Sequence, residues 1–503
     1  MLLSLIALLA AAPAPALNPP DTTLILNAVV VDGTGAPARR AAVRLAGGRI
    51  IAVGALVKAP GERLVDARGL VLAPGFIDTH AHYDDSLLAQ PAALPAVSQG
   101  ITTVVVGQDG DQPYPLADFL KRLDGAPAAV NVAAFAGHGT IRRRVMGDDF
   151  RRAASASEIE AMRKLLEGEL SAGALGLSTG LEYDRGIYSA TDELLALART
   201  AAAARGRYIS HIRSEDRRFY SAVSELLTIG REARLPVQLS HAKLAMRGLW
   251  GSAPKLLARL DSARKVGINV TLDVYPYTYW QSTITVLFPA RNFTDSAEAE
   301  LVLSEVAAAD GIRITAAPDR ALVGRSLAEI ARAAGEAPAV TLMRLAQQSD
   351  SMERGSDGHD YIAIVGTSMV EQDVAALLAW PQANVCSDGA SDGGHPRGYG
   401  AFPRVLGRYV REQKVLSLEN AVRKMSSLAA AHMGIADRGT IAAGMRADLV
   451  LLDPRVVADR ATPANPTAPA AGIVRVWTNG VEVYRDGQAT GARPGMVLRR
   501  GQR

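Results

Sequence analysis

Cysteine is almost absent from this chain, with Cys386 the single example among 503 residues. One thiol excludes an intrachain disulfide and also excludes a zinc cluster built from several cysteines. Cys386 lies in an apolar run, which predicts a small buried hydrophobic residue. Metal ligands are therefore to be sought among histidines and carboxylates.

The chain also lacks a large excess of one charge. Lysine and arginine total 55 against 51 acidic residues, which gives a net charge of +4. The densest basic run, Arg142 to Arg144, has no interleaved aromatic residues, so we expect no nucleic-acid partner. Hydrophobic residues make up 48% of the chain and indicate a large core, and the length favours one large domain with a smaller one.

Long apolar runs are rare, and the one at the start is short. Residues 1–12 are apolar apart from Ser4, and the small-x-small pattern Ala14-Pro15-Ala16 follows them. This arrangement predicts a signal peptide over residues 1–16 and a periplasmic or secreted protein. The run is too short to span a bilayer and no later segment is typical of a transmembrane helix, so we expect no stable membrane insertion.

Histidine is scarce as well, with eight in the chain, and two of them end the run Pro74-Gly75-Phe76-Ile77-Asp78-Thr79-His80-Ala81-His82. Residues at i and i+2 on a strand project from the same face. His80 and His82 can therefore offer two imidazoles to one metal ion.

Three further chemistry-bearing residues stand at the ends of strand-like runs. His211 follows residues 208–210, His241 follows residues 237–240, and Asp388 follows residues 383–387. Metal ligands and acid-base groups at successive strand ends are typical of the catalytic face of a (β/α)8 barrel.

The pattern along the chain predicts an α/β protein, a (β/α)8 TIM barrel with a metal site at its C-terminal face. Strand-like and helix-like segments alternate through residues 73–439. Residues 21–72 and 440–503 have β character and predict one small β domain built from both termini. The alternation breaks over residues 288–358, which predicts an inserted subdomain, and a strand over 361–364 is expected to resume the barrel.

The residues placed in this way carry a resemblance to the D-aminoacylase (N-acyl-D-amino-acid deacylase) family of the amidohydrolase superfamily. The resemblance covers about residues 24–493. It rests on motifs that are specific in combination: Pro74 to His82, Gly100 to Gly107, Gly137-His138-Gly139-Thr140, His211-Ile212-Arg213-Ser214-Glu215, Ser240-His241-Ala242-Lys243, Tyr275-Pro276-Tyr277, Ser387-Asp388-Gly389, His395-Pro396-Arg397 and Gly439 to Val450.

The resemblance implies zinc-dependent hydrolysis of the amide bond of N-acyl-D-amino acids, which releases a carboxylic acid and a free D-amino acid. It implies one or two zinc ions held by histidines of the first, fifth and sixth strands, with an aspartate of the eighth strand as the catalytic acid and base. The matching residues in this chain are His80, His82, His211, His241 and Asp388.

The chain departs from the family pattern after Val106-Gly107, where the best-known D-aminoacylases carry a cysteine that binds metal. Asp109 holds the equivalent position here. Glu182 follows the fourth strand, where other superfamily members place a carboxylate that bridges two metals. We predict Glu182 as the bridging metal ligand, with Asp109 facing the substrate or supporting the ligands. The alternative is that Asp109 is the bridging ligand.

The resemblance also implies a clamp for the α-carboxylate of the substrate, formed by Lys243, Tyr275 and Arg397. Arginine binds carboxylates with two hydrogen bonds and lysine adds a point charge, which agrees with this role. Ser282 matches the clamp less well, because the loop from Tyr275 to Ser282 is one residue off the family pattern. Arg213 and Glu215 are expected to form an ion pair that orients His211.

Three alternatives remain open. One is a cyclic amidase such as a hydantoinase or dihydroorotase relative, although no lysine lies between Lys164 and Lys243 to supply the carboxylated lysine of those enzymes. Another is a metal-dependent dipeptidase, so the expected partner is an N-acyl amino acid or a short peptide. The third, from a different class, is a non-catalytic barrel used for binding. A homo-oligomer is also open.

Overall fold

The computed structural model describes residues 22–84, 86–355, 361–367, 369–391 and 394–502. The predicted signal peptide, residues 1–16, lies outside the described residues. Within these ranges, no helix is long and apolar enough to cross a membrane.

The strands are numbered here in chain order. They are β1 Thr22–Val30, β2 Arg39–Ala46, β3 Arg49–Gly54, β4 Arg63–Asp66, β5 Val71–Pro74, β6 Phe76–Asp78, β7 Ala81–His82, β8 Ile101–Val106, β9 Asn131–Ala134, β10 Ala136–Gly137, β11 Gly176–Gly180, β12 Arg207–His211, β13 Val237–Leu239, β14 Val270–Val274, β15 Tyr279–Thr283, β16 Ile312–Ala316, β17 Ala363–Thr367, β18 Ala383–Val385, β19 Gly389–Ala390, β20 Leu449–Leu452, β21 Ile473–Thr478, β22 Val481–Arg485 and β23 Gln488–Ala489.

The α-helices follow the same order. They are α1 Leu94–Val97, α2 Leu116–Gly125, α3 His138–Met146, α4 Ala156–Ala172, α5 Thr191–Ala203, α6 Phe219–Ala233, α7 Ala253–Lys265, α8 Ser296–Leu301, α9 Leu327–Ala334, α10 Pro338–Gly355, α11 Glu371–Ala379, α12 Arg397–Arg404, α13 Leu418–Met425 and α14 Ser427–Met433.

Parallel strands connected through helices form the central barrel, which confirms the predicted fold class. Strands β6, β8 and β9 pair in parallel, and β10 to β14 continue in order to β18. Strand β8 is buried along its whole length, as expected of a strand covered on both faces. The barrel closes where the Asp388 amide donates to the His80 carbonyl at 2.9 Å and β19 pairs with β7.

The two ends of the chain share one nine-stranded sheet beside the barrel. Strand β5 pairs in parallel with β1 and antiparallel with β20, so segments from both termini meet in its centre. The last residues leave this sheet and return to the barrel, where the Val132 amide of β9 donates to the Met496 carbonyl at 2.9 Å. The predicted range 440–503 therefore includes a tail that packs on the barrel.

An antiparallel sheet in the order β15, β17, β16 stands outside the barrel, between β14 and β18. The predicted inserted subdomain, 288–358, falls inside this unit, whose sheet starts at Tyr279. The expectation that residues 361–364 resume the barrel is wrong, because β17 pairs antiparallel with β15 and β16. Residues 363 and 364 of that run belong to the central strand of this small sheet instead.

A buried polar network joins the small β domain to the barrel. Asp448, just before β20, lies 2.5 Å from the Arg438 guanidinium and accepts a hydrogen bond from the side chain of Asn131 in β9 at 3.1 Å. Asn479 donates its backbone amide to Asp448 and its side-chain amide to Asn131 at 2.7 Å. Asn131, Arg438 and Asp448 are all buried, so this network fixes the two domains to each other.

Candidate metal centre and active site

The mouth of the barrel brings together the four predicted histidines. His80 follows β6 and is fully buried, and within the described residues neither of its ring nitrogens makes a hydrogen bond. A buried imidazole that makes no hydrogen bond carries an energetic cost unless a ligand that the polypeptide does not supply completes it. The rings of His80 and His241 lie 4.6 Å apart between centroids, and those of His211 and His241 lie 4.8 Å apart.

Asp109 lies between the histidines contributed by different strands. Its Oδ1 is 3.4 Å from Nε2 of His80 and 3.2 Å from Nε2 of His241, and its Oδ2 is 3.6 Å from Nε2 of His82. Two groups of residues with converging ligand atoms therefore share this carboxylate: one contains His80, His82 and Asp388, and the other contains His211 and His241.

Backbone conformation at these positions is unusual. Asp109 has φ 53°, His241 has φ 33° and Asp388 has φ 49°, all in the left-handed region that side chains rarely adopt. Strained residues of this kind cluster at functional sites, because the surrounding fold must hold them there. The Asp109 carbonyl packs against Gly180 of β11, where an added Cβ would lie 2.0 Å from it.

Glu182 and Glu215 contact the outer sides of the histidine rings. Nδ1 of His211 faces Nε2 of His241 at 3.1 Å. The other ring nitrogen of His211, Nε2, is 3.0 Å from Oε2 of Glu182. Glu215 is 3.3 Å from Nδ1 of His241, while Nε2 of that ring faces Asp109. Carboxylates on the outer nitrogens fix ring orientation and tautomer. The prediction that Glu182 bridges two ions stays a prediction, and the structure places Asp109 rather than Glu182 between the two groups.

Asp388 stands between a histidine and an arginine. Its Oδ1 is 3.2 Å from Nε2 of His82, and its Oδ2 is 2.5 Å from Nη1 of Arg397. Burial by itself raises the pKa of Asp388, but the Arg397 guanidinium and the neighbouring histidines outweigh it and hold the pKa well below its usual value. The carboxylate is therefore ionised and can act as a proton acceptor.

The residues of the predicted carboxylate clamp lie beside Asp388. The Arg397 guanidinium carbon is 4.9 Å from the centroid of the Tyr275 ring, and Nζ of Lys243 is 5.9 Å from it. The Tyr275 hydroxyl is buried and has no hydrogen-bond partner in the part of the chain that the structure describes. Lys243 binds both oxygens of Glu215 at 2.7 Å.

A cavity of about 570 Å³ opens onto these groups. Its wall includes His82, Asp109, Asp388, Lys243 and Arg397. Residues of the inserted unit complete the wall, among them Trp280, Ser282, Val286, Leu287, Val306 and Glu353. Ser282, which falls one residue off the family pattern, thus faces the same cavity as Lys243 and Arg397 of the predicted clamp.

One predicted contact is wrong and another residue has a structural role. Arg213 does not pair with Glu215; its guanidinium binds Glu225 at 3.0 and 3.1 Å. Glu215 pairs with Lys243 instead, because both side chains point into the barrel mouth. His138, which belongs to one of the sequence motifs, does not line the cavity. Its Nε2 lies 2.7 Å from Oε1 of the buried Glu193. Tyr183, whose hydroxyl is 3.1 Å from Nδ1 of His211, was not predicted from the sequence.

The donor set fits zinc. Imidazole nitrogens and carboxylate oxygens that converge in a buried pocket are among the ligands that zinc takes in proteins. The ring of His80 fits the same conclusion, because neither of its nitrogens makes a hydrogen bond within the described residues and a bound ion would complete it.

The chain is similar over nearly its whole length to proteins of known activity. A model of the amidohydrolase family matches residues 63–484. The N-acyl-D-glutamate deacylase of Alcaligenes xylosoxydans xylosoxydans is 40% identical over 94% of this chain and 95% of its own length. The D-aminoacylase of the same organism is 36% identical over 96% of this chain and 98% of its own length.

A solved structure extends the comparison to three dimensions. N-acyl-D-glutamate deacylase from Bordetella bronchiseptica, in complex with zinc and a phosphonate inhibitor that mimics the tetrahedral intermediate, superposes with a TM-score of 0.85. It is 37% identical, and the match covers 95% of this chain and 99% of the other.

Proposed function

The chain belongs to the amidohydrolase family, and on that basis we propose that it is a zinc-dependent hydrolase of N-acyl-D-amino acids. The reaction cleaves the amide bond and releases a carboxylic acid and a free D-amino acid. The observation that carries this proposal is the convergence of four imidazoles, Asp388 and two cationic side chains at one barrel mouth.

The zinc would be held by His80, His82, His211 and His241, supported by the carboxylates around them. When bound, zinc would lower the pKa of water, which is a weak nucleophile, and would polarise the carbonyl of the amide, which is a poor electrophile. The polypeptide contributes the orientation of the rings, through Glu182 and Glu215 on their outer nitrogens.

Asp388 moves the proton. As a buried carboxylate beside His82, it accepts the proton of the attacking water and then donates it to the leaving nitrogen, so one group serves as base and then as acid. A carboxylate with a very low pKa is a weak base. Arg397 makes the largest contribution to that low pKa, ahead of the neighbouring histidines, so a ligand that draws Arg397 away raises the basicity of Asp388.

The substrate can supply such a ligand with its own α-carboxylate. Arg397 and Lys243 lie on the cavity wall, and the buried Tyr275 hydroxyl lacks a partner beside them. A substrate carboxylate that binds Arg397 would compete with Asp388 for the guanidinium. Substrate binding would thus activate the base at the moment when it is needed.

Specificity for the D series follows from the relatives rather than from the cavity shape. Two relatives are named N-acyl-D-glutamate deacylase and N-acyl-D-aspartate deacylase, and they are 40% and 39% identical to this chain. We extend their stereochemistry to this chain as part of the proposal.

The test is the release of free amino acid from paired N-acetyl-D- and N-acetyl-L-amino acids, with zinc-loaded protein and a chelated control. Zinc-dependent hydrolysis of the D series alone is the expected result. Hydrolysis of neither series by protein that retains zinc would contradict the proposal. The same protein would then be tested on D-containing dipeptides and cyclic amides, the substrates of the two alternative enzyme classes.

We also propose that the mature protein is exported, since residues 1–16 have the pattern of a signal peptide. Mass spectrometry of the native protein should find a mature N-terminus near Ala16. A native chain that retains Met1 would contradict export by cleavage.

A further inference from the structure

We propose that Asp109 is the shared ligand of a two-ion centre in which Glu182 and Glu215 position the rings without bridging the ions. This role deepens the zinc-dependent hydrolysis proposed above and rests on it. On this proposal, the carboxylate of Asp109 takes the place of the cysteine thiolate that the D-aminoacylases resembling this chain carry at that position.

The position of the Asp109 carboxylate carries the proposal. Its two oxygens lie within 3.2 to 3.6 Å of imidazole nitrogens of His80 and His82, at the end of the first barrel strand, and of His241, after β13. It belongs both to the group formed with His80, His82 and Asp388 and to the group formed with His211 and His241. A carboxylate has two oxygens and can therefore bind one ion with each.

The fold also holds this side chain in place. Asp109 has a positive φ between Gly107 and Gly110, which have positive φ as well. The Gly110 amide donates to Ser178 of β11 at 3.2 Å, and the Gln108 side chain donates to the Thr79 carbonyl at 3.1 Å. These contacts tie the segment to β11 and to the turn after β6, so the carboxylate is positioned before any ion arrives.

Glu182 is placed differently. Its Oε1 accepts the Glu215 amide at 3.1 Å and its Oε2 lies on Nε2 of His211. The nitrogen of His211 that faces His241 is Nδ1. In this position Glu182 orients the His211 ring. It lies outside the two groups that share Asp109, in a third group of converging ligand atoms with His211 and Glu215.

The change from thiolate to carboxylate has a chemical consequence. Soft thiolate ligands favour soft ions, whereas carboxylates favour harder divalent cations. The preference for Cd²⁺ over Zn²⁺ should therefore be smaller in this chain than in a centre that contains a thiolate. Replacing Asp109 by cysteine should increase this preference within the same fold.

The experiment measures bound metal rather than turnover. Wild type, Asp109→Asn, Asp109→Cys and Glu182→Gln are stripped with chelator and dialysed against Zn²⁺, Cd²⁺ or a mixture of the two, and the ions per chain are counted by elemental analysis. Asp111→Asn is the matched control, because Asp111 lines the same cavity two residues further along and binds Thr140. Circular dichroism and thermal unfolding verify that each variant is folded.

We expect two ions in wild type, Asp111→Asn and Glu182→Gln, with a lower affinity in Glu182→Gln, and the loss of at least one ion in Asp109→Asn. Asp109→Cys should bind two ions, prefer Cd²⁺ over Zn²⁺ by at least tenfold more than wild type, and show the ultraviolet charge-transfer band of a cadmium thiolate. Full loading of folded Asp109→Asn would overturn the proposal. If Asp109→Asn and Glu182→Gln both lose an ion, the cadmium thiolate band of Asp109→Cys decides whether residue 109 is a ligand. Its presence supports the proposal, and its absence places residue 109 outside the centre and overturns it.

These outcomes are independent of the proposed activity. Wild-type protein that binds two ions but hydrolyses no N-acyl-D-amino acid would remove the proposed substrate class and leave the role of Asp109 intact. If wild-type protein is active and Asp109→Asn retains both ions, the role of Asp109 is removed and the proposed substrate class stands.

Discussion

At the scale of single residues, Asp388 and Arg397 form the ion pair on which the proposed chemistry depends. The guanidinium stabilises the ionised carboxylate, and both side chains are buried at the cavity wall. Their contact couples substrate binding to proton transfer, because a ligand for one partner changes the basicity of the other.

Asp388→Asn should lower kcat by about a hundredfold to ten-thousandfold, the range attributed to a general acid and base. The amide keeps the size of the carboxylate and the histidines are unchanged, so zinc should remain bound. Steady-state kinetics with parallel metal analysis would test both parts. Near-normal turnover would remove Asp388 from the proton-transfer role.

Arg397→Met should raise KM by about tenfold to a hundredfold, the value of a lost charge-assisted hydrogen bond to the substrate carboxylate. It should also raise the pKa of Asp388, because the strongest of the groups that oppose the effect of burial is then gone and the histidines alone remain. Asp388 loses activity as a base when it is protonated, so the acid limb of the pH–rate profile should move to higher pH.

Arg397→Lys is the matched variant, which keeps the charge and should show a smaller shift of the acid limb. An unchanged KM and an unchanged acid limb in Arg397→Met would contradict both roles of this arginine.

Which residues meet at the site could be predicted in part from the sequence. His80 and His82 share a strand face, and the ends of parallel strands meet at one barrel mouth, so the four histidines and Asp388 could be predicted to lie together. The choice between Asp109 and Glu182 could not be made in the same way. It depends on the left-handed backbone at Asp109 and on which nitrogen of His211 faces inward, and neither leaves a pattern in the sequence.

At the scale of elements, the segment between β8 and α2 is the part of the barrel rim that presents Asp109. It packs on β11, where Gly180 leaves room for the Asp109 carbonyl. A side chain at position 180 would push the segment away, and the carboxylate would move with it.

Gly180→Ala should therefore destabilise the protein by about 1 to 3 kcal/mol, as overpacking of a filled interior does, and it should weaken zinc binding. Gly168→Ala is the control, since Gly168 lies in α4 with nothing within 4 Å of an added Cβ. That substitution should be neutral or stabilising by up to about 1 kcal/mol. Equal stability and zinc affinity in the two variants would contradict the proposed support of Asp109.

Element types could be predicted more reliably than their partners. The run that forms β17 was correctly expected to be a strand, but it was assigned to the barrel. Hydrophobic periodicity identifies a buried strand and does not distinguish a parallel barrel strand from the centre of a small antiparallel sheet. The ion pair expected between Arg213 and Glu215 failed for a related reason, since spacing along the chain does not specify which way two side chains point.

At the scale of the whole molecule, the buried network of Asp448, Arg438, Asn131 and Asn479 attaches the small β domain to the barrel. The domain contains segments from both ends of the chain, so this attachment also holds the termini. A buried charge that loses its partner is costly, because it cannot be solvated.

Asp448→Asn should lower the free energy of unfolding by about 1.5 to 3 kcal/mol, because the buried Arg438 loses the closer of its two carboxylate partners and is left with Asp437 at 3.2 Å. Asp453→Asn is the control. Asp453 pairs with Arg455, whose side chain is 80% exposed, and its loss should have a much smaller effect. Denaturant unfolding of the zinc-loaded proteins would measure both, and equal effects would contradict the importance of the network.

The hydrogen bond from the Asp388 amide to the His80 carbonyl, which closes the barrel, has a consequence for how the protein matures. His82 and Asp388 are 306 residues apart in sequence, so during synthesis the histidines leave the ribosome long before the segment that completes their pocket. A nascent chain that has emerged as far as His241 carries all four imidazoles without the enclosure that orients them. Tight capture of metal should therefore be a late event, and the rate of zinc uptake during refolding should follow the slow formation of these distant contacts.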